Sequence, residues 1–307
     1  MHKLKRIGGA VVALVFFLSG CSSEPSLSST ALKEKFPGKK YMEIDGVSIH
    51  YDQQGLGKPM VLLHGLGTSS YVWRNIIPGL TYGTTVYTVD LMGFGYSEKP
   101  HDRNYDIETY VSQLETFLEE FNLQNPILGG QGVGALIVAL YTVRNPGKVE
   151  KLILAGAPLY ESTLPFNIRM IGLPLIGQAL TGDWFLKRIF RAGIENKSKM
   201  SDIGLRPFLA PYQADPGART SLRKFVKEFN AEPAIRNEIV PNLGTLHMPT
   251  LVVWGPHDAF VPLEVGRKLD QDIPNSDISV ILRSGHYVQE DRPDQVRLAL
   301  KEFRDKD

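Results

Sequence analysis

The chain has 307 residues with 34 basic and 33 acidic side chains, a formal net charge of +1 at pH 7. That balance argues against a nucleic-acid partner, which would call for a basic excess, and the length suits one α/β domain with an insertion. A single cysteine, Cys21, excludes an internal disulfide.

The N-terminus reads as a targeting segment. His2, Lys3, Lys5 and Arg6 form a basic start, and Ile7 to Leu18 is an apolar stretch too short to span a bilayer comfortably. It runs into Leu18-Ser19-Gly20-Cys21, which resembles a bacterial lipobox. The resemblance implies removal of residues 1–20 and a lipid on Cys21. The expected address is the bacterial cell envelope, with the membrane as a partner through Cys21. Ser22 stands where an aspartate would suggest retention at the inner membrane, so the lean is toward the outer one. Residues 21–40 are polar and serine-rich with Pro25 and Pro37, the composition of a tether.

Two short strands are expected at Tyr41–Ile44 and Val47–Tyr51, joined by the hairpin signal Asp45-Gly46. Met60-Val61-Leu62-Leu63 is an unbroken apolar run of the kind buried on both faces of a parallel sheet. It opens into His64-Gly65-Leu66-Gly67. A strand over Thr85–Val89 leads to Asp90-Leu91-Met92-Gly93-Phe94-Gly95. Ile107, Tyr110, Val111, Leu114, Phe117, Leu118 and Phe121 recur at helical spacing.

Pro126 to Ala135 reads as a buried strand, a glycine-rich turn and a helix from Val133 to Arg144. This is the setting of the nucleophile elbow, G-x-S-x-G. In the frame Gly130-Gln131-Gly132-Val133-Gly134, glycine occupies the nucleophile position, Gly132. The same turn satisfies the dinucleotide fingerprint G-x-G-x-x-A, but the next strand, Lys151–Gly156, ends without the acidic residue that would hold a ribose. No cofactor is expected.

Alternating strands and helices imply an α/β fold with a doubly wound, mostly parallel sheet. With the motifs above, residues 41 to 305 resemble the α/β-hydrolase superfamily. The run from Thr68 to Pro78, with Asp90 to Pro100 behind it, is similar to the cap-bearing haloalkane dehalogenase and epoxide hydrolase branch. Those dehalogenases place an aspartate, a tryptophan and often an asparagine where this chain has Gly132, Val133 and Leu66, so dehalogenation is not implied.

The resemblance implies a core over 41–156 and 247–307 and an inserted helical cap over 157–246. Within that cap Phe185, Leu186, Ile189 and Phe190 are expected to pack down on a pocket; the sharper alternative lays the Trp184–Arg191 face against lipid. Asp258, after the apolar run Leu251–Trp254, matches the position of the triad acid. His286, after a strand over Ile278–Leu282, matches the catalytic histidine, and a last helix is expected over Asp291–Phe303. The backbone N–H groups of Leu66 and Val133 would meet an oxyanion. No spacing of histidines or carboxylates resembles a metal site.

The implied partner is a small apolar, ester-like molecule under the cap. Three readings stay open: a degenerate hydrolase with weak or no turnover, an enzyme using His286 and Asp258 as a general base, or a serine hydrolase carrying one Ser-to-Gly change. Ser69, Ser70 and Ser97 lie on nearby loops, but nothing places them on the sharp turn. His64 is expected to hold its loop, and His257 to face solvent.

Overall fold

The computed structural model describes residues 26–160, 164–229 and 232–306; the expected targeting segment and Cys21 lie outside the described residues. The chain is already folded before the expected core begins. Helix α1 (Ser29–Lys35) is capped by the Ser28 hydroxyl, which accepts from Ala31 N at 3.3 Å. Its Leu32 is fully buried, Lys33 pairs with Glu43, and Lys35 donates to the carbonyl of Ala214. The tether expected over 21–40 is corrected here. One leucine with a surface to bury holds the second half of that segment on the domain.

A seven-stranded sheet runs through the molecule. β1 (Lys40–Ile44) and β2 (Val47–Leu63) are joined by Asp45-Gly46, whose φ angles of 51° and 75° are those a two-residue hairpin requires. β2 then doubles back. Its residues 51–55 pair with β3 (Tyr82–Val89) in antiparallel register, from Tyr51↔Val89 to Gly55↔Thr85. Residues 57–63 pair with the same strand in parallel, from Gly57↔Gly83 to Leu63↔Val89. Gly55 and Gly57 make the reversal at φ 87° and 136°, angles closed to most side chains. The two expected strands Val47–Tyr51 and Met60–Leu63 are therefore arms of one element wrapped around β3.

From the second arm the sheet continues in parallel through β4 (Ile127–Gln131), β5 (Lys151–Ala155), β6 (Thr250–Trp254) and β7 (Ser276–Val280). Every residue of β4, β5 and β6 is buried, as strands covered on both faces must be. α2 (Ile107–Glu120) starts at Asp106, whose carboxylate accepts from Thr109 N at 2.9 Å. α3 (Val133–Arg144) leaves β4 after one intervening residue.

Between β5 and β6 comes the insertion. It holds α4 (Phe166–Arg169), α5 (Ile176–Leu180), α6 (Asp183–Ala192), α7 (Asp202–Ala214) and α8 (Gly217–Glu228), then the short α9 (Glu232–Ala234) and α10 (Val240–Asn242). α11 (Leu263–Asp272) follows β6. The expected C-terminal helix is α13 (Pro293–Asp305); a short α12 (Val288–Asp291) precedes it, and Arg292 separates the two because the residue before a proline is driven out of helical geometry.

Candidate active site

Gly132 alone links β4 to α3, at φ 56° and ψ −117°. Such angles strain any residue with a Cβ, by about 1–3 kcal/mol, and glycine relaxes them. The turn is held from both sides: Gly132 N donates to Ala155 O at 2.8 Å, and its own carbonyl accepts from Ala135 N at 3.1 Å. It closes only because its neighbours are glycines. A Cβ on Gly134 would lie 2.6 Å from His64 O and 2.7 Å from Leu63 O, and one on Gly130 would run into the backbone of Gly134.

Facing the turn is His286. A Cβ built on Gly132 would stand 3.3 Å from His286 Nε2. The other ring nitrogen, Nδ1, bonds Asp258 Oδ2 at 2.8 Å. Asp258 is fixed in turn, its Oδ1 accepting from Phe260 N at 2.8 Å and Val261 N at 2.9 Å. A carboxylate on Nδ1 sets the tautomer, so that Nε2 is free to accept a proton on the side of Gly132. Phe260 and Tyr287 pack edge-on against the imidazole, with ring centroids 5.1 Å and 5.3 Å away.

Leu66 and Val133 lie in the same cavity wall as Gly132 and His286. Val133 opens α3, so its N–H has no acceptor within the helix. The loop carrying Leu66 is set by His64, which is completely buried. Leu91 N donates to His64 Nε2 at 3.0 Å, and Nδ1 lies 2.8 Å from Gly65 O. A ring that accepts at Nε2 and donates at Nδ1 is neutral, in keeping with burial holding its pKa below the ordinary histidine value.

A model of the alpha/beta hydrolase fold matches residues 58–293. The chain belongs to the α/β-hydrolase family. It is 27% identical over 295 residues to a 2-hydroxy-6-oxononadienedioate/2-hydroxy-6-oxononatrienedioate hydrolase of Paraburkholderia xenovorans, covering 92% of this chain and 99% of the relative. It is 28% identical to haloalkane dehalogenase 2 of Mycobacterium bovis, over 83% and 90% of the two chains. Among solved structures, an alpha/beta hydrolase fold protein from Burkholderia ambifaria matches with a TM-score of 0.78 at 24% identity, over 85% of this chain and 96% of that one. A bromoperoxidase from Bacillus anthracis matches at 0.73 and 26%, over 87% and 100%.

In this member of the family the inserted helices roof a cavity that is partly open to solvent. Leu186, Ile189 and Phe190 of α6 line it; Phe185, expected beside them, is buried elsewhere. His286 is the one histidine or charged side chain among the described lining residues. Cap and core are joined around the site by Tyr212, which donates to Gly67 O at 2.8 Å, and by Asp291. The latter's carboxylate accepts from Gly285 N, Glu195 N and Asn196 N at 2.8–2.9 Å. No local pattern marked either residue.

Of the nearby serines, Ser69 does not line the cavity, and Ser70 and Ser97 are engaged with Asp90. Ser97 donates to Asp90 O at 2.6 Å and accepts from His50 N, while Ser70 N donates to the Asp90 carboxylate. Neither lines the cavity. His257 is exposed, as expected, and pairs with Glu195 of the cap at 2.7 Å. Gln131 turns its buried amide toward Gly65, away from the cavity, with no partner for it among the described residues.

Proposed function

We propose that this chain is a lipid-anchored member of the α/β-hydrolase family that holds a small apolar molecule with one hydrogen-bond acceptor under its cap, and that acyl-enzyme turnover has gone with the nucleophile. The observation that carries this reading is Gly132, in the strained turn of a nucleophile and 3.3 Å, at its Cβ position, from a histidine with no hydroxyl to activate. The acceptor would meet His286 and the N–H groups of Leu66 and Val133, and the apolar body would fill the space under α6. A dicarboxylate, of the kind named for the Paraburkholderia relative, fits poorly. No arginine or lysine lines the described wall, and a buried unpaired carboxylate is expensive.

The intact His286–Asp258 bond favours a second reading in which the dyad acts as a general base on water or on a substrate proton. Thermal-shift titration with short and medium-chain esters and ketones, run beside an ester-hydrolysis assay, separates the two. Binding without turnover supports the first. Turnover that disappears in His286→Ala and drops strongly in Asp258→Asn supports the second. A protein that neither binds nor turns over any of them refutes both. The anchor rests on Leu18-Ser19-Gly20-Cys21 alone; mass spectrometry of the N-terminal peptide tests it, and an unmodified Cys21 in a chain starting at Met1 removes it.

A further inference from the structure

The outer face of the cap carries an apolar surface that its core does not use. Phe166 on α4, Leu173, Leu175 and Ile176 at the entry of α5, and Trp184 at the start of α6 are between 45% and 82% exposed. α4 and α5 pack against α8, and α5 also packs against α6. Leu175, the most exposed, is held at φ 62°, a backbone region disfavoured for a residue with a Cβ. Each exposed aromatic has an exposed arginine one helical turn on, Arg169 three residues after Phe166 and Arg188 four after Trp184. An apolar tip with a cation beside it is the pattern of side chains seated at a membrane–water boundary.

The position of the N-terminal segment says what would cover this face. Ser26 packs against Gly217, the first residue of α8, and Leu27 N reaches Asp215. Arg219, two residues on, donates to Thr181 O and pairs with Asp183, the neighbour of Trp184. Five residues separate Ser26 from Cys21, at most about 18 Å of extended chain. An acyl chain on Cys21 would therefore enter a bilayer beside the cap.

We infer that the face formed by Phe166, Leu173, Leu175, Ile176 and Trp184 docks on an anionic phospholipid bilayer, with Arg169 and Arg188 at the phosphates. The inference rests on the anchoring reading for the place of the anchor. It adds a route for the ligand. α4 and α6 present Phe166 and Trp184 outward while Ile168, Leu186 and Ile189 of the same helices line the cavity. One helix thickness, about 10 Å, then separates lipid from pocket, and an apolar ligand need not cross water.

The chain carries its own reporter, because Trp73 and Trp254 are buried and Trp184 is 72% exposed. The full-length gene product, purified after its natural processing, is placed with vesicles of phosphatidylethanolamine and phosphatidylglycerol carrying brominated acyl chains. The expected result is a blue shift and quenching of tryptophan emission, absent in Trp184→Phe and lost in Phe166→Glu/Leu175→Glu, while the lipidated double variant still floats with the vesicles. A lipidated chain that floats but is not quenched overturns the docking and leaves the anchor standing. If Cys21 carries no lipid the anchor falls, and the same titration of the unmodified chain decides the docking: quenching supports it, its absence overturns it. A blue shift that grows with protein concentration without vesicles, together with a dimer by light scattering, would assign the face to a second copy and overturn the lipid occupant.

Discussion

On the proposed reading, one side chain at Gly132 separates the chemistry from its scaffold. The backbone keeps the angles a nucleophile needs, and His286 keeps its carboxylate. Gly132→Ser should therefore confer hydrolysis of p-nitrophenyl butyrate, with a rise of about 10²-fold or more in kcat/KM, since triad residues act as a unit. The serine adds strain of about 1–3 kcal/mol, and the imidazole must withdraw by a few tenths of an ångström to admit its Cβ. Labelling by a fluorophosphonate, lost in Gly132→Ser/His286→Ala, would fix the frame. A folded Gly132→Ser protein that neither labels nor hydrolyses would show that the site has decayed beyond its nucleophile.

Asp90 is a second residue on which a good deal hangs. Fully buried, its carboxylate takes bonds from His50 Nδ1 and Tyr96 N at 2.8 Å and from Ser70 N. Burial alone would raise its pKa, but His50 and the backbone donor Tyr96 N outweigh burial and hold it well below the ordinary 3.8. A depressed carboxyl contributes stability that is present above that ordinary value and lost as pH falls toward the folded one. Asp90→Asn should thus lose about 1–3 kcal/mol at neutral pH, the range for leaving buried hydrogen-bond donors without their acceptor. The difference from the parent should shrink below about pH 4. Urea unfolding at pH 7 and near pH 3.5 measures both; an equal loss at the two pH values would deny the carboxylate this role.

Among the elements, the β4–turn–α3 unit depends on close approach more than on side-chain packing. Gly134→Ala places a Cβ against the backbone carbonyls of Leu63, at the end of β2, and His64, just after it, which cannot move aside as a flexible side chain can. A destabilisation of about 1–3 kcal/mol or more is expected, with α3 pushed off the sheet. Gly147, where a Cβ meets nothing within 4 Å, supplies the control: Gly147→Ala should stay within about 0.5 kcal/mol. Thermal unfolding of the pair tests the elbow directly. If both variants melted like the parent, the close approach would not be what holds the turn.

For the whole molecule, the N-terminal segment acts as a strap across core and cap. Leu32 is buried, Ser29 and Lys33 reach Glu43, and Leu27 and Lys35 reach the end of α7. Lys99, buried with Asp215 at 3.4 Å and bonded to Gly95 O and Ser97 O, ties the same corner to the loop after β3. Leu32→Ala should cost about 2–5 kcal/mol, as for other buried leucines, and expose the bonds around Ser26–Phe36 to protease. A variant with unchanged unfolding and cleavage would return this segment to the free tether its composition suggests.

The α/β alternation, the helices α2, α3 and α6, and the elbow frame were legible because each rests on a local period or turn signal that neighbouring residues impose on one another. Asp258 and His286 were legible through their place after successive strands, a property of chain order. The rest depended on partners far along the chain. Two apolar runs separated by Gly55 and Gly57 look like independent strands until β3 lies between them, pairing with both. A serine-rich segment reads as a tether until Leu27 and Lys35 find partners about 180 residues away, at Asp215 and Ala214. Nothing in Trp184-Phe185-Leu186 says which aromatic faces out; the neighbours α5 and α7 decide it. Periodicity records what a residue prefers to do with water, whereas only the tertiary structure supplies the surface against which that preference is satisfied.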